Sequence, residues 1–133
     1  MASICTQTWT YPSVEVTRVD LAFDCNDGSS FAAYALNSFT GFVFMAISVP
    51  DGTKPPTTGY DVEFIDEDGI DIFGGELHDR SATLKEQVVP GIGSVFGARF
   101  VDGASTMTIA NNIVSGAKGI ITLFILNNAN DSN

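Results

Sequence analysis

Positive charge is scarce in this chain: six lysines and arginines stand against sixteen aspartates and glutamates, for a net charge of −10. A pI near 4.1 repels a phosphate backbone, and six scattered cations make no basic patch, so nucleic acid is not an expected partner. Cysteine is equally sparse. Cys5 and Cys25 cannot build a disulfide framework, and with no Cys-x-x-Cys pair they cannot close a zinc site, which wants four ligands. Met1-Ala2-Ser3-Ile4-Cys5-Thr6-Gln7 lacks the basic start and apolar stretch of a secretory signal, so synthesis in a reducing cytosol, with both cysteines as thiols, is the expectation. Uninterrupted hydrophobic length is missing too. Residues 28–50 carry no charge, but the turn-forming cluster Asn37-Ser38-Phe39-Thr40-Gly41 breaks them in the middle. Two buried strands joined by a turn fit better than a membrane span.

Apolar residues make up 44 % of the 133, enough for one hydrophobic core and one domain. Glycine, proline, asparagine and aspartate cut the chain into runs too short for ordinary helices and rich in Val, Ile, Phe and Thr. Residues 14–23 alternate, with a phase slip between Val16 and Val19 that suggests a bulge. Residues 60–66 alternate cleanly, and Asp66-Glu67-Asp68-Gly69 then turns the chain into a returning strand at 70–73, the strongest hairpin signal present. Residues 76–84 read equally as a helical turn or a loop. Further strands fall at 95–101, 106–109 and 120–126. The expected fold is therefore all-β, a single-domain antiparallel β-sandwich of about eight short strands, which buries both apolar faces of the 31–49 and 120–126 runs. An N-terminal arm over 1–13 precedes the sandwich at 14–126, and a polar tail at 127–133 frays.

Candidate chemistry is thin. Asp66-x-Asp68-Gly69-x-Asp71 offers three carboxylates to Ca²⁺ from a tight loop, but an acidic hairpin turn needs the same residues. His78-Asp79-Arg80-Ser81 holds a base, an acid and a hydroxyl in a row, whereas catalytic triads converge from separate elements, so no enzyme is expected. Gly91-x-Gly93-x-x-x-Gly97 is mis-spaced for a dinucleotide fingerprint and reads as turn glycines. Ten phenylalanines, three tyrosines and one tryptophan are a heavy aromatic load, some of it expected to be covered by a partner. The candidate capsid or subunit interface residues are Trp9, Tyr11, Phe31, Tyr34, Phe39 and Phe42. For Trp9, packing across an open end of the sandwich is the competing reading.

From Thr58 onward the order of motifs resembles small virion structural proteins of tailed bacteriophages. The residues that carry the likeness are Gly59-Tyr60-Asp61-Val62, Gly69-Ile70-Asp71, Gly74-Gly75, Arg80-Ser81-Ala82-Thr83 and Glu86-Gln87-Val88-Val89-Pro90. Met107-Thr108-Ile109-Ala110-Asn111-Asn112 and Gly116-Ala117-Lys118-Gly119-Ile120-Ile121-Thr122-Leu123 extend it. The resemblance implies a non-enzymatic β-sandwich on the particle, a capsid decoration (cement) protein, often a symmetric trimer, with the major capsid protein as partner, no membrane and no required cofactor. Its location would be the capsid surface after synthesis in the host cytoplasm. A tail, neck or fibre component of the virion and a calcium-assisted carbohydrate-binding module are the alternatives. On this view, deleting residues 1–11 weakens capsid attachment while the sandwich still folds.

Overall fold

The computed structural model describes residues 2–26 and 28–127, and these contain eleven β-strands, all pairings antiparallel, and no helix. The chain is an all-β single domain, as its composition and turn spacing lead one to expect. The polar tail beyond Asn127, and Asp27 of the turn at 26–28, lie outside the described residues.

Six strands form the larger sheet: β1 (Ile4–Thr10), β2 (Val16–Asp24), β4 (Phe39–Pro50), β6 (Glu86–Val88), β9 (Arg99–Gly103) and β11 (Lys118–Asn127). Their order is β1-β2-β11-β4, and β6 and β9 share the far edge of β4. The smaller sheet, β3 (Tyr34–Ala35), β10 (Ser105–Ala110) and β5 (Asp61–Asp66), supplies the second layer. A two-strand hairpin, β7 (Gly91–Ile92) and β8 (Val95–Phe96), stands apart from both. The core lies between the layers. Val19, Leu21 and Phe23 of β2, with Ile121, Leu123 and Ile125 of β11, meet Val62 and Phe64 of β5 and Met107 of β10. Each such buried side chain stabilises the fold by about 1.5–3 kcal/mol.

Several expectations are corrected. Residues 4–10 are not an arm: every residue of β1 is in register with β2, from Ile4 opposite Asp24 to Thr10 opposite Arg18. The alternation is hidden in sequence because the outward positions are mostly threonines and an inward one is Gln7. That glutamine's Nε2 donates to the Tyr34 hydroxyl at 2.9 Å and its Oε1 accepts from Trp9 Nε1 at 2.9 Å. Removing residues 1–11 would thus strip an edge strand rather than an appendage. The bulge is also elsewhere. Strand β2 pairs without interruption, Thr17 taking a buried position with its hydroxyl donating to Asn127 Oδ1 at 2.7 Å. The register shift falls instead between β4 and β11, where Phe124 faces Met45 and Ile125 faces Val43, leaving Phe44 as the extra residue.

The return from the acidic turn is not a strand. Ile65 and Asp71 make one isolated bridge, after which the Asp71 carboxylate itself accepts the Phe64 N–H at 3.0 Å, and the ladder stops. Residues 70–80 run along β5 through turns at Gly74 and Gly75, both at positive φ, and bury Ile72, Phe73 and Leu77. Residues 76–84 are turns and loop, with Ser81 Oγ accepting from Thr83 N and Leu84 N. The 31–36 run shrinks to the two residues of β3.

Candidate assembly surface and polar cluster

An antiparallel sheet with one face on the core ordinarily turns polar residues to the other side. The smaller sheet obeys this, its outward positions being filled by residues such as Asp61, Glu63, Thr106 and Thr108. The larger sheet does not. Strand β4 turns Phe42, Ile47 and Val49 outward, and the bulge adds both Phe44 and Met45 to the same side. Beside them stand Ile120, Phe124 and Leu126 of β11 and Phe100 of β9, with Phe42 and Phe100 ring to ring at 5.3 Å and Phe44 and Phe124 at 6.2 Å. Among the described residues no second layer covers them, and Phe100 and Leu126 keep 47 % and 42 % of their surface exposed. The sheet curls, so that Ile4, Ala22, Val49 and Ile120 line a depression of about 520 Å³ at one end of this face.

Charge on this face is balanced locally. Arg18 is paired with Asp20 at 3.1 Å and lies over the Phe124 ring at 5.5 Å, while Lys118 reaches Asp24 at 3.9 Å. The two cations cancel two carboxylates, and Asp102 at the rim accepts from the Thr40 hydroxyl. A chain with net charge −10 therefore presents one broad surface almost free of net charge. Strands β4 and β11 over about nine residues each and the five residues of β9, about 4.8 Å apart, give roughly 350 Å² of apolar face. A patch of that size on a single chain marks an interaction site more often than not, and with the paired charges of β2 at its edge it is the central part of a surface of standard interface size, ~800 Å² per partner. A second exposed apolar group, Ile92, Val95 and Phe96 with the neighbouring Val89, sits on the β7–β8 hairpin.

Of the interface residues read from sequence, Phe42 and Tyr11 are exposed, Phe42 on the apolar face. Trp9, Phe31, Tyr34 and Phe39 instead pack against the core from its margins. Trp9 meets Phe39 at 6.0 Å and Phe31 meets Phe23 at 6.0 Å, so both rings are partly covered by the chain's own core. The further apolar residues on this face are Phe44, Met45, Ile47, Val49, Phe100, Ile120, Phe124 and Leu126, and the unbroken apolar runs of β4 and β11 are the sequence signal for most of them.

The candidate calcium set Asp66, Asp68 and Asp71 does not converge among the described residues. Asp66 Oδ1 accepts from Asp68 N and Ile70 N, and its Oδ2 takes Arg99 Nη2 at 2.6 Å, so a guanidinium already occupies the place of a cation. Burial pushes the Asp66 pKa up, but the Ile70 N–H, the Arg99 guanidinium and the Asp68 N–H outweigh it and hold the carboxyl below its ordinary value. Asp71 turns instead toward β5. Its Oδ1 accepts from Phe64 N and Phe73 N and its Oδ2 from Gly75 N at 2.8 Å. There it joins Glu63 and His78, the one group among the described residues whose three ligand atoms lie within 4.8 Å of one another. His78 Nε2 is 2.9 Å from Glu63 Oε2. The two thiols are separate: burial pushes Cys5 up to about 11 and raises Cys25 as well, so both stay protonated at neutral pH.

The fold and surface define a single-domain all-β protein with one uncovered apolar sheet face and a small mixed polar cluster. No family model and no curated protein matches the chain. Among solved structures it is similar to a cupin domain from Bordetella pertussis Tohama I, at 12 % identity, over 96 % of this chain and 98 % of that one, with a TM-score of 0.39. A likeness this distant carries no argument about function.

Proposed function

We propose that this chain is a non-enzymatic virion structural protein, a capsid decoration (cement) protein that assembles as a homotrimer on the major capsid protein. The observation that carries the reading is the outer face of the six-stranded sheet, apolar across β4, β11 and β9 and charge-balanced in a strongly acidic chain. A decoration subunit needs contacts with its own copies and with the shell. In this reading the apolar sheet face joins the copies, because acidic chains approach one another with least repulsion where local charge cancels. The exposed β7–β8 hairpin is then the element that touches the shell. The motif resemblance over the chain from Thr58 onward supports the same reading.

The experiment adds the purified chain to capsids of the virus that encodes it, prepared without it. Copies bound per capsid and the melting temperature of the shell are read together. Saturable binding with a higher shell melting temperature is expected. Absence from the shell, with the chain recovered on tails or necks or not on particles at all, overturns the reading.

A further inference from the structure

The cluster of Glu63, Asp71 and His78 belongs to no part of the proposed assembly surface. It lies on the far sheet, where β5 meets the turning segment 70–80. We propose that it is a binding site for a divalent transition-metal ion of the zinc type, held by one imidazole nitrogen and two carboxylates.

The three ligands come from three places in the chain, and the fold brings each there for its own reason. Glu63 is an outward position of β5, whose neighbours Val62 and Phe64 are fully buried. Asp71 ends the ladder beside β5 and is fixed by three backbone N–H donors, so its carboxylate is preorganised. His78 closes the tight turn after Gly75, its N–H donating to the Gly75 carbonyl at 3.1 Å. Around an ion with bonds of about 2.1 Å, adjacent ligand atoms sit about 3.0 Å apart in octahedral and somewhat farther apart in tetrahedral geometry. The 2.9 Å between His78 Nε2 and Glu63 Oε2 already matches that spacing. Both side chains are about 40 % exposed, so small rotations bring them onto an ion beside the fixed Asp71, with water completing the shell.

Ligand chemistry selects the ion. Calcium takes an all-oxygen shell, whereas an imidazole among carboxylates suits zinc, nickel or cobalt. Arg80, the cation nearest in sequence, is engaged elsewhere: it gives its guanidinium to Glu86 at 3.4 Å and to the His78 carbonyl at 3.0 Å. A bound ion would tie β5 to the irregular 70–80 segment that stands in for a neighbouring strand.

His78 is the only histidine of the chain, so its ring resonances report on this site alone. The test titrates the protein with zinc chloride while following the ring nitrogens by NMR and the heat of binding by calorimetry. One equivalent should shift the His78 ring with saturation and raise the melting temperature. Glu63→Gln keeps the reporter and should weaken binding about tenfold or more, and His78→Ala should abolish the one-equivalent heat while metal-free melting stays unchanged. A ring that does not move at saturating zinc overturns the proposal. So does binding that survives both variants, which would place the ion away from this cluster.

Discussion

Ile47→Lys puts a cation in the middle of the apolar face, opposite Thr122 of β11 and Gln87 of β6. In the isolated chain this position is half-buried on the outer face, so the substitution should cost folding about 1 kcal/mol. In an assembly the rest of the side chain is buried against a neighbour. Losing that remaining burial costs about 1 kcal/mol per copy, and desolvating the lysine ammonium adds about 1 kcal/mol more. Every copy of a symmetric trimer carries the change, so about 6 kcal/mol is lost, roughly 10⁴-fold in the trimerisation constant. Sedimentation velocity across a dilution series, beside a thermal melt followed by circular dichroism, separates the two effects. The variant should sediment as a folded monomer. Thr108→Lys, on the polar outer side of the smaller sheet, is the control and should leave the assembly intact. An Ile47→Lys protein that sediments like the wild type refutes the assignment of the face.

Three other consequences are open to measurement. Gly74→Ala, at φ 60° with a Cβ driven into the Gly91 carbonyl oxygen, should lose more than about 2 kcal/mol in denaturant unfolding, and an unchanged midpoint would contradict the turn. Burial pushes the Tyr60 phenol up to about 12, with the Arg80 charge pulling the other way and Glu86 adding to the rise. Its stabilising effect is full below pH 10 and is lost as pH climbs through 12, so Tyr60 should ionise at 295 nm together with unfolding. Because the buried Tyr60 and Ser48 hydroxyls do not meet in hydrogen-bonding geometry, Tyr60→Phe should match or exceed wild-type stability and unfold at higher pH. The Asp66 carboxyl is held below its ordinary 3.8, so its contribution is present above that pH and is lost as pH falls through the folded value. Asp66→Asn, which weakens the charged bond to Arg99, should cost about 1.5–3 kcal/mol at pH 7 by chemical denaturation, and the deficit should shrink in acid.

Residues whose local pattern matches their environment were legible. Tyr60, Val62 and Phe64 alternate with acidic residues and are buried as that alternation requires, and Gly93 turns β7 into β8 at φ 62°. What escaped depends on partners distant in sequence. Nothing local distinguishes β1 from an arm, because Gln7 and Trp9 satisfy each other and Tyr34 only once the chain is folded. The return at 70–73 reads as a strand until Asp71 takes the Phe64 N–H that a strand would have paired. The assembly face was half visible. Apolar runs announce that β4 and β11 are buried on one face, but whether a second layer or a second molecule covers the other is a matter of sheet stacking. The metal set escaped for the same reason: Glu63, Asp71 and His78 have no motif spacing and meet only through the tight turns at Gly74 and Gly75.

The central claim is that the outer face of the six-stranded sheet joins copies of this chain. The most direct test is the solution mass of the purified protein by light scattering after size exclusion, over a concentration series. A mass three times that of the 14.1 kDa chain, stable on dilution, is the predicted result. A mass that stays at one chain up to the highest concentration would contradict it.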